Sequence, residues 1–260
     1  MFILLLIICI IKKEVNMELI GNGAQAKIFK DNNMAIKLFN KNISKHDVEY
    51  EMNLQNMAYE HGLSVPKIYD IVEINGKYGI KMEYINGVTF GKIIFDNMNK
   101  LNEYLNKSIE IQIGIHKIIV NNFPSMKEIL KMKINKAQLI TEKEKQNIMK
   151  LLDKEKFNNN LCHGDFQFMN ILQTENGIKI IDWIDSSSGN IEADVYRTYL
   201  LYTVFNDEIA ELYINKFCKI ANILKENILK WAPIIASARL SEGMENDENE
   251  KLLNIIRNNI

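Results

Sequence analysis

Cys162-His163-Gly164-Asp165, then Asn170 five residues past that aspartate, then Ile180-Ile181-Asp182-Trp183, is the stretch on which the reading of this chain turns. Two carboxylates and an amide at these spacings supply one carboxylate to face a substrate hydroxyl and two oxygen ligands of the kind magnesium takes, a pattern suited to phosphoryl transfer. The intervening residues agree with it. Ile171-Leu172-Gln173 and Ile178-Lys179-Ile180-Ile181 are rich in β-branched residues, and Asn176-Gly177 between them is a tight-turn signal. The sequence therefore predicts a hairpin here that returns Asp182 beside Asn170.

Working toward the amino terminus, the run from Met17 predicts a short strand, a glycine turn at Gly21 and Gly23, and a second strand through Ile28 and Phe29. Glycines in such a turn let backbone N–H groups approach phosphate oxygens, although a Gly-x-Gly turn by itself is more often a plain hairpin. A strand rather than a helix follows, which disfavours a dinucleotide-binding fingerprint. Met34-Ala35-Ile36-Lys37-Leu38-Phe39 is an apolar strand interrupted by one lysine. A helix is predicted from Ser44 to about Glu60, with Val48, Met52, Gln55 and Tyr59 along one face and Glu49 and Glu51 in its early turns. A strand lysine paired with a helix glutamate is one way to hold the α and β phosphates of ATP. Glu49 and Glu51 lie about 200° apart on the helix, so only one can face inward. Two more strands, 66–72 and 78–84, flank the Asn75-Gly76 turn, and Glu83-Tyr84-Ile85-Asn86-Gly87 leads into a helical remainder. That segment is the expected hinge, with backbone groups near Glu83 and Ile85 for an adenine ring.

Beyond residue 89 the periodicity is helical apart from the segment quoted first. Helices are predicted at about 100–119, 126–135, 141–156, 191–205, 207–221, 225–240 and 245–258. The chain has 260 residues, 47% apolar and 25% charged, enough for a large core in one domain or two lobes. A formal charge of −1 and a pI of about 6.5 give no overall attraction to nucleic acid, so none is expected as a partner. Cys9, Cys162 and Cys218 are scattered and show no zinc-ligand spacing, which fits a reduced cytoplasmic setting. Residues 1–11 are apolar throughout and precede Lys12-Lys13. The run is shorter than a spanning helix and lacks the basic leader and cleavage site of a secretory signal, so residues 1–16 are read as an extension outside the fold and no membrane role is expected.

Gly21-x-Gly23, Lys37, the stretch ending at Glu51, Val65-Pro66-Lys67, Met82-Glu83-Tyr84, His163-Gly164-Asp165 with Asn170, and Ile181-Asp182-Trp183 occur in the order and spacing of the aminoglycoside phosphotransferase and choline kinase family, which this chain resembles over about residues 17–257. The resemblance implies an α+β, two-lobed, protein-kinase-like fold: an antiparallel sheet lobe for nucleotide at 17–87, hinge included, and a mostly helical catalytic and acceptor-binding lobe at 88–260. It implies Asp165 as catalytic base, Asn170 and Asp182 as magnesium ligands, Lys37 held by Glu51 as the phosphate contact, and Gly21, Gly23, Glu83 and Ile85 around the nucleotide. Glu51 rather than Glu49 is selected on this ground. His163 is expected to support the loop, Cys162 to be a small buried neighbour, and Asp194 and Arg197 to brace the loop from behind.

The activity implied is transfer of the γ-phosphate of ATP or GTP to a hydroxyl of a small molecule. A protein kinase is the weaker reading, because His-Gly-Asp and Asp-Trp stand where that family has His-Arg-Asp and Asp-Phe-Gly, and no Ala-Pro-Glu follows. A catalytically silent binding module fits less well with a full set of reactive residues. The acidic run Glu242, Glu245, Asp247, Glu248 and Glu250 raises the possibility of a pocket for polycations, though charge on a terminal helix is usually a solvated face.

Overall fold

The computed structural model of the chain describes residues 17–243 and 245–260. The expectation for residues 1–16 lies outside them. In chain order come β1 (Glu18–Asn22), β2 (Ala26–Asp31), β3 (Met34–Phe39), α1 (Lys45–Glu60), β4 (Ile68–Ile74) and β5 (Lys77–Glu83). Next are β6 (Gly87–Thr89), α2 (Phe90–Asp96), α3 (Leu101–His116), α4 (Met126–Lys136), α5 (Glu142–Lys154), β7 (Asn160–Cys162), β8 (Ile171–Thr174), β9 (Gly177–Ile180) and β10 (Ser187–Gly189). Helices α6 (Ile191–Phe205), α7 (Asp207–Ala221), α8 (Lys225–Leu229), α9 (Ala232–Leu240) and α10 (Asn246–Arg257) complete the order.

Two compact units result. The first holds the residues up to Gly87 together with Thr174–Ile184; the second holds Val88–Gln173 and Asp185–Ile260. The sequence reading assigns all of 88–260 to the helical lobe, and the segment 174–184 corrects it. Ile180 donates its N–H to the Ser64 carbonyl, Ser64 Oγ donates to the Ile178 carbonyl, and Lys179 Nζ reaches the Val65 carbonyl, so β9 is tied to the sheet unit by one backbone bond and two side-chain bonds that no local pattern announces.

In the first unit five strands form an antiparallel sheet in the order β1-β2-β3-β5-β4. Alternation along β3 turns Ala35 and Phe39 to buried positions, and α1 packs Val48, Leu54 and Ala58 inward. Val48, Phe39, Ile80 and Ala26 form a core edged by Met52, Ile68 and Met82. Burying a side chain as large as Phe39 or Ile80 contributes about 1.5–3 kcal/mol each. Ser44 starts α1 with a capping box: its hydroxyl accepts from Asp47 N, and the Asp47 carboxylate accepts from Ser44 N. The inward face of α1 is Val48, Glu51 and Gln55, with Leu54 and Ala58; Tyr59, expected on that face, is exposed. Gly21 is not in the first turn. It lies on β1 opposite Ile28, beside a register shift at Leu19/Gly21, and the turn is made by Gly23, whose N–H donates to the Ala26 carbonyl.

The second unit is helical around two short paired strands, β7 and β10, in register Cys162↔Ser187 to Asn160↔Gly189. Its core is aromatic. Tyr202 on α6 packs against Phe168 at 4.6 Å and Tyr213 of α7 at 5.2 Å, and Phe90 against Tyr104 at 4.7 Å. The single helix predicted over 225–240 is two, α8 and α9. Pro233, in the first turn of α9, has no N–H to continue an earlier helix but sits well where that donor is spare. Helix α2 was not foreseen. Among the described residues no helix is long and apolar enough to cross a membrane.

Candidate active site

In the sheet unit, β3 carries the half-buried Lys37 on the same face as Ala35 and Phe39, and α1 presents Glu51 to it, Nζ to Oε1 at 2.5 Å. Glu51 is 6% exposed, whereas Glu49 is exposed and pairs with Lys45 of its own helix. Lys37 Nζ also donates to Asp182 Oδ1 at 3.1 Å. Burial opposes charge on this lysine, yet attraction from Asp182 and Glu51 and hydrogen bonds to both carry its ammonium above the usual lysine range. Asp182 follows β9 with φ of 66°, a left-handed conformation a non-glycine residue adopts at a cost, and Trp183 anchors the turn by burying its ring and donating Nε1 to the Ile180 carbonyl. One ammonium faces two carboxylates here. Glu83 ends β5; its N–H donates to the Lys67 carbonyl and its carboxylate accepts from Lys67 N and Lys179 Nζ. Ile85 follows in the irregular stretch after β5.

In the helical unit, β7 delivers the chain into His163-Gly164-Asp165. Gly164 takes φ of 79°, and a Cβ there would collide with the Asp185 carbonyl, so the sharp exit from β7 demands glycine. Asp165 N–H donates to Nδ1 of the buried His163. Phe166 is buried, and a single turn of 3₁₀ helix, Phe168–Asn170, brings Asn170 back: its amide nitrogen donates to the Asp165 carbonyl at 2.8 Å and to Asp165 Oδ2 at 2.7 Å. With the nitrogen so committed, the amide oxygen is the end of Asn170 that could serve a cation.

Asp194 and Arg197, one turn apart on α6, grip the two peptide groups that flank the Gly164 Cα. Asp194 Oδ1 accepts from Gly164 N at 2.8 Å and Arg197 Nε donates to the Gly164 carbonyl at 3.2 Å. The other Asp194 oxygen meets His116 Nε2 at 2.8 Å and Gln112 Nε2 at 3.3 Å, and Tyr213 donates to Gln112 Oε1 at 2.6 Å. Burial opposes the Asp194 charge, but the hydrogen bond and charge of His116 and the Gly164 N–H hold its carboxyl below the ordinary range. His116, Cys162 and Asp194 come close enough to suit a metal. Cys162 Sγ points at the Asn160 and Asn190 carbonyls, and burial first, then Asp194 and Glu192, push its thiol well up. Sequence reading missed Gln112 and His116. Their i, i+4 polar pair in the otherwise apolar run Ile111–Ile115 was the available signal.

The structure thus brings Lys37, Glu51 and Asp182 together in one unit and Asp165, Asn170, Asp194 and Arg197 in the other. Asp185, at the exit of the turn that follows β9, is paired with Lys133 of α4 at 2.9 Å. Glu242 and Glu248 of the acidic run are half-buried and paired: Glu242 accepts from Lys133, Arg197 and Arg239, and Glu248 from Arg239.

One unit with a five-stranded antiparallel sheet and a helix pinning a strand lysine, and a second, helical unit with an Asp-bearing loop, make up the protein-kinase-like fold. Residues 19–226 match the phosphotransferase enzyme family (APH), and the chain belongs to it. No curated protein matches the sequence. Three solved structures illustrate the fold. An apo thermostable mutant of aminoglycoside phosphotransferase APH(4)-Ia is 14% identical with a TM-score of 0.63, over 94% of this chain and 88% of that one. Choline kinase LicA from Streptococcus pneumoniae is 18% identical with a TM-score of 0.62, over 96% and 98%. Amicoumacin kinase hAmiN, in complex with AMP-PNP, Ca2+ and Ami, is 14% identical with a TM-score of 0.64, over 96% and 91%.

Proposed function

We propose that this protein is a small-molecule kinase that transfers the γ-phosphate of ATP or GTP to a hydroxyl, with magnesium as cofactor and Asp165 as base. The observation that carries the reading is the Lys37 ammonium clamped by Glu51 and Asp182. A strand lysine oriented this way is suited to donor phosphates, and family membership supports the reaction class. Gly21 and Gly23 would approach the phosphates with backbone groups, and Glu83 and Ile85 the adenine or guanine ring. Asn170 and Asp182 are read as the magnesium ligands. Both offer hard oxygen, the Asn170 amide is oriented by its bonds to Asp165, and the Asp182 carboxylate is over one-third exposed. Magnesium, when bound, would neutralise developing charge on the transferring phosphate.

The remaining work falls to the protein. Asp165, its loop fixed through Gly164 by Asp194 and Arg197, accepts the acceptor hydroxyl proton and holds that oxygen in line. Lys37 offsets charge on the non-transferred phosphates, and Glu51 keeps its ammonium in place. The free thiols Cys162 and Cys218 suit the cytoplasm, where we place the activity.

Two variants test the roles. Asp182→Ala should lose Mg-ATP affinity by calorimetry and turnover together. Asp165→Asn should bind Mg-ATP nearly as the parent does while turnover on the best acceptor in a panel of amino alcohols, sugars and aminoglycosides falls by roughly two orders of magnitude or more. Near-normal turnover in Asp165→Asn, or parental Mg-ATP affinity in Asp182→Ala, defeats the corresponding assignment. Robust phosphorylation of generic protein substrates with no small-molecule turnover would overturn the acceptor class.

A further inference from the structure

A cavity in the helical unit opens beside the peptide that precedes Asp165, lined by Gly164, Asp185, Lys133, Arg197, Glu242 and the apolar side chain of Ile235. Its charged wall is already satisfied. Lys133 Nζ donates to Asp185 Oδ1 at 2.9 Å and Glu242 Oε1 at 3.1 Å, while Glu242 Oε2 takes Arg197 and Arg239 at 2.9 and 2.5 Å. Arg239 Nε reaches Glu248 at 2.9 Å. Three cations therefore face three carboxylates. Burial opposes charge on Lys133, but Asp185 and Glu242 more than compensate and hold its ammonium above the usual range; Glu242, despite burial, is held at about 2 by Arg197, Lys133 and Arg239.

We propose that Lys133 determines acceptor specificity: its ammonium fills the seat between Asp185 and Glu242 that a cationic acceptor group would need, so the enzyme takes an acceptor that is uncharged where it faces this cavity. This rests on the kinase reading above. A tethered lysine competes at high effective concentration, and an incoming ammonium would have to expel it and leave it half-buried without its partners. The apolar part of the wall favours a neutral ring or chain in the same place.

The test compares kanamycin, a polycation, with its fully N-acetylated form, which keeps the hydroxyls and loses the charge. Binding is measured by calorimetry at low salt, without nucleotide, to the parent, Lys133→Met, Lys133→Gln and Lys133→Arg; Lys133→Gln stands in if the methionine variant fails to fold. The parent and Lys133→Arg should bind kanamycin no more tightly than the acetylated compound. The methionine and glutamine variants, with Asp185 and Glu242 released, should prefer kanamycin by tenfold or more, and 0.5 M salt should abolish that preference. A parent that already prefers kanamycin overturns the proposal, and so does a neutral variant that gains no preference. Because the readout needs no phosphate transfer, absence of kinase activity would defeat the functional reading and leave this comparison standing.

Discussion

Lys37 of the sheet unit and Lys133 of the helical unit are each held between two carboxylates, at 2.5 and 3.1 Å in the first and at 2.9 and 3.1 Å in the second. What surrounds them differs. The Lys37 group sets one cation against Glu51 and Asp182, leaving one negative charge in excess. Around Lys133, Arg197 and Arg239 join in and Glu248 balances them, so positive and negative charges match. An excess of carboxylate at a half-buried place is costly unless another cation arrives, and that is where the magnesium ligand is proposed. The balanced network calls for no further cation. Similar geometry therefore carries opposite chemistry according to the local charge sum.

The strongest way to break this comparison is to remove the first lysine. Lys37→Met should lower turnover by two to three orders of magnitude, about 3–4 kcal/mol of transition-state stabilisation. Steady-state kinetics with saturating Mg-ATP decides it, and a loss under tenfold would make the two clamps equivalent after all. Next comes Glu242. Its folded pKa, about 2, lies below the ordinary 4.5, so its contribution is fully present above pH 4.5 and is lost as pH falls toward 2. Glu242→Gln should cost up to about 3 kcal/mol at pH 7 and flatten the stability profile between pH 4.5 and 2, read by urea denaturation across that window.

Gly164→Ala sharpens the helical side, because it tests the residue whose N–H and carbonyl Asp194 and Arg197 hold. It forces a Cβ into the Asp185 carbonyl at positive φ and should destabilise by about 2 kcal/mol or more, with Mg-ATP affinity less affected than turnover. The smallest effect belongs to Glu49→Ala. Its exposed i, i+4 pair with Lys45 should be worth no more than about 0.5 kcal/mol, and turnover should not move. A large activity loss there would mean that the wrong glutamate has been paired with Lys37.

Much of the candidate site was legible because its signals are short. Gly164, Asp165 and Asn170 lie within seven residues, and a loop that closes on itself advertises its spacing. Glu51 was a harder choice: periodicity could say only that Glu49 and Glu51 point apart, and the family resemblance selected between them. Long-range pairings were less visible. Gln112 and His116 reach Asp194 across 82 and 78 residues, and no local pattern marks that link. The acidic run misled for a related reason. Glu242 and Glu248 carry the composition of a solvated face, yet arginines and a lysine from α4, α6 and α9 turn them inward. The division of α8 from α9 could have been read from Pro233, whereas the attachment of 174–184 to the sheet unit could not.

By itself the sequence determined most of the elements, their order and which residues could be reactive, because periodicity, capping, turn chemistry and motif spacing act over a few neighbouring residues. Tertiary structure decided which charges meet. Lys37 finds Asp182 from 145 residues away and Lys133 finds Glu242 from 109, and each pairing is fixed by where strands and helices pack. The charge left over at one clamp and absent at the other is set by that packing, since burial makes an unmatched charge costly and a matched one stable.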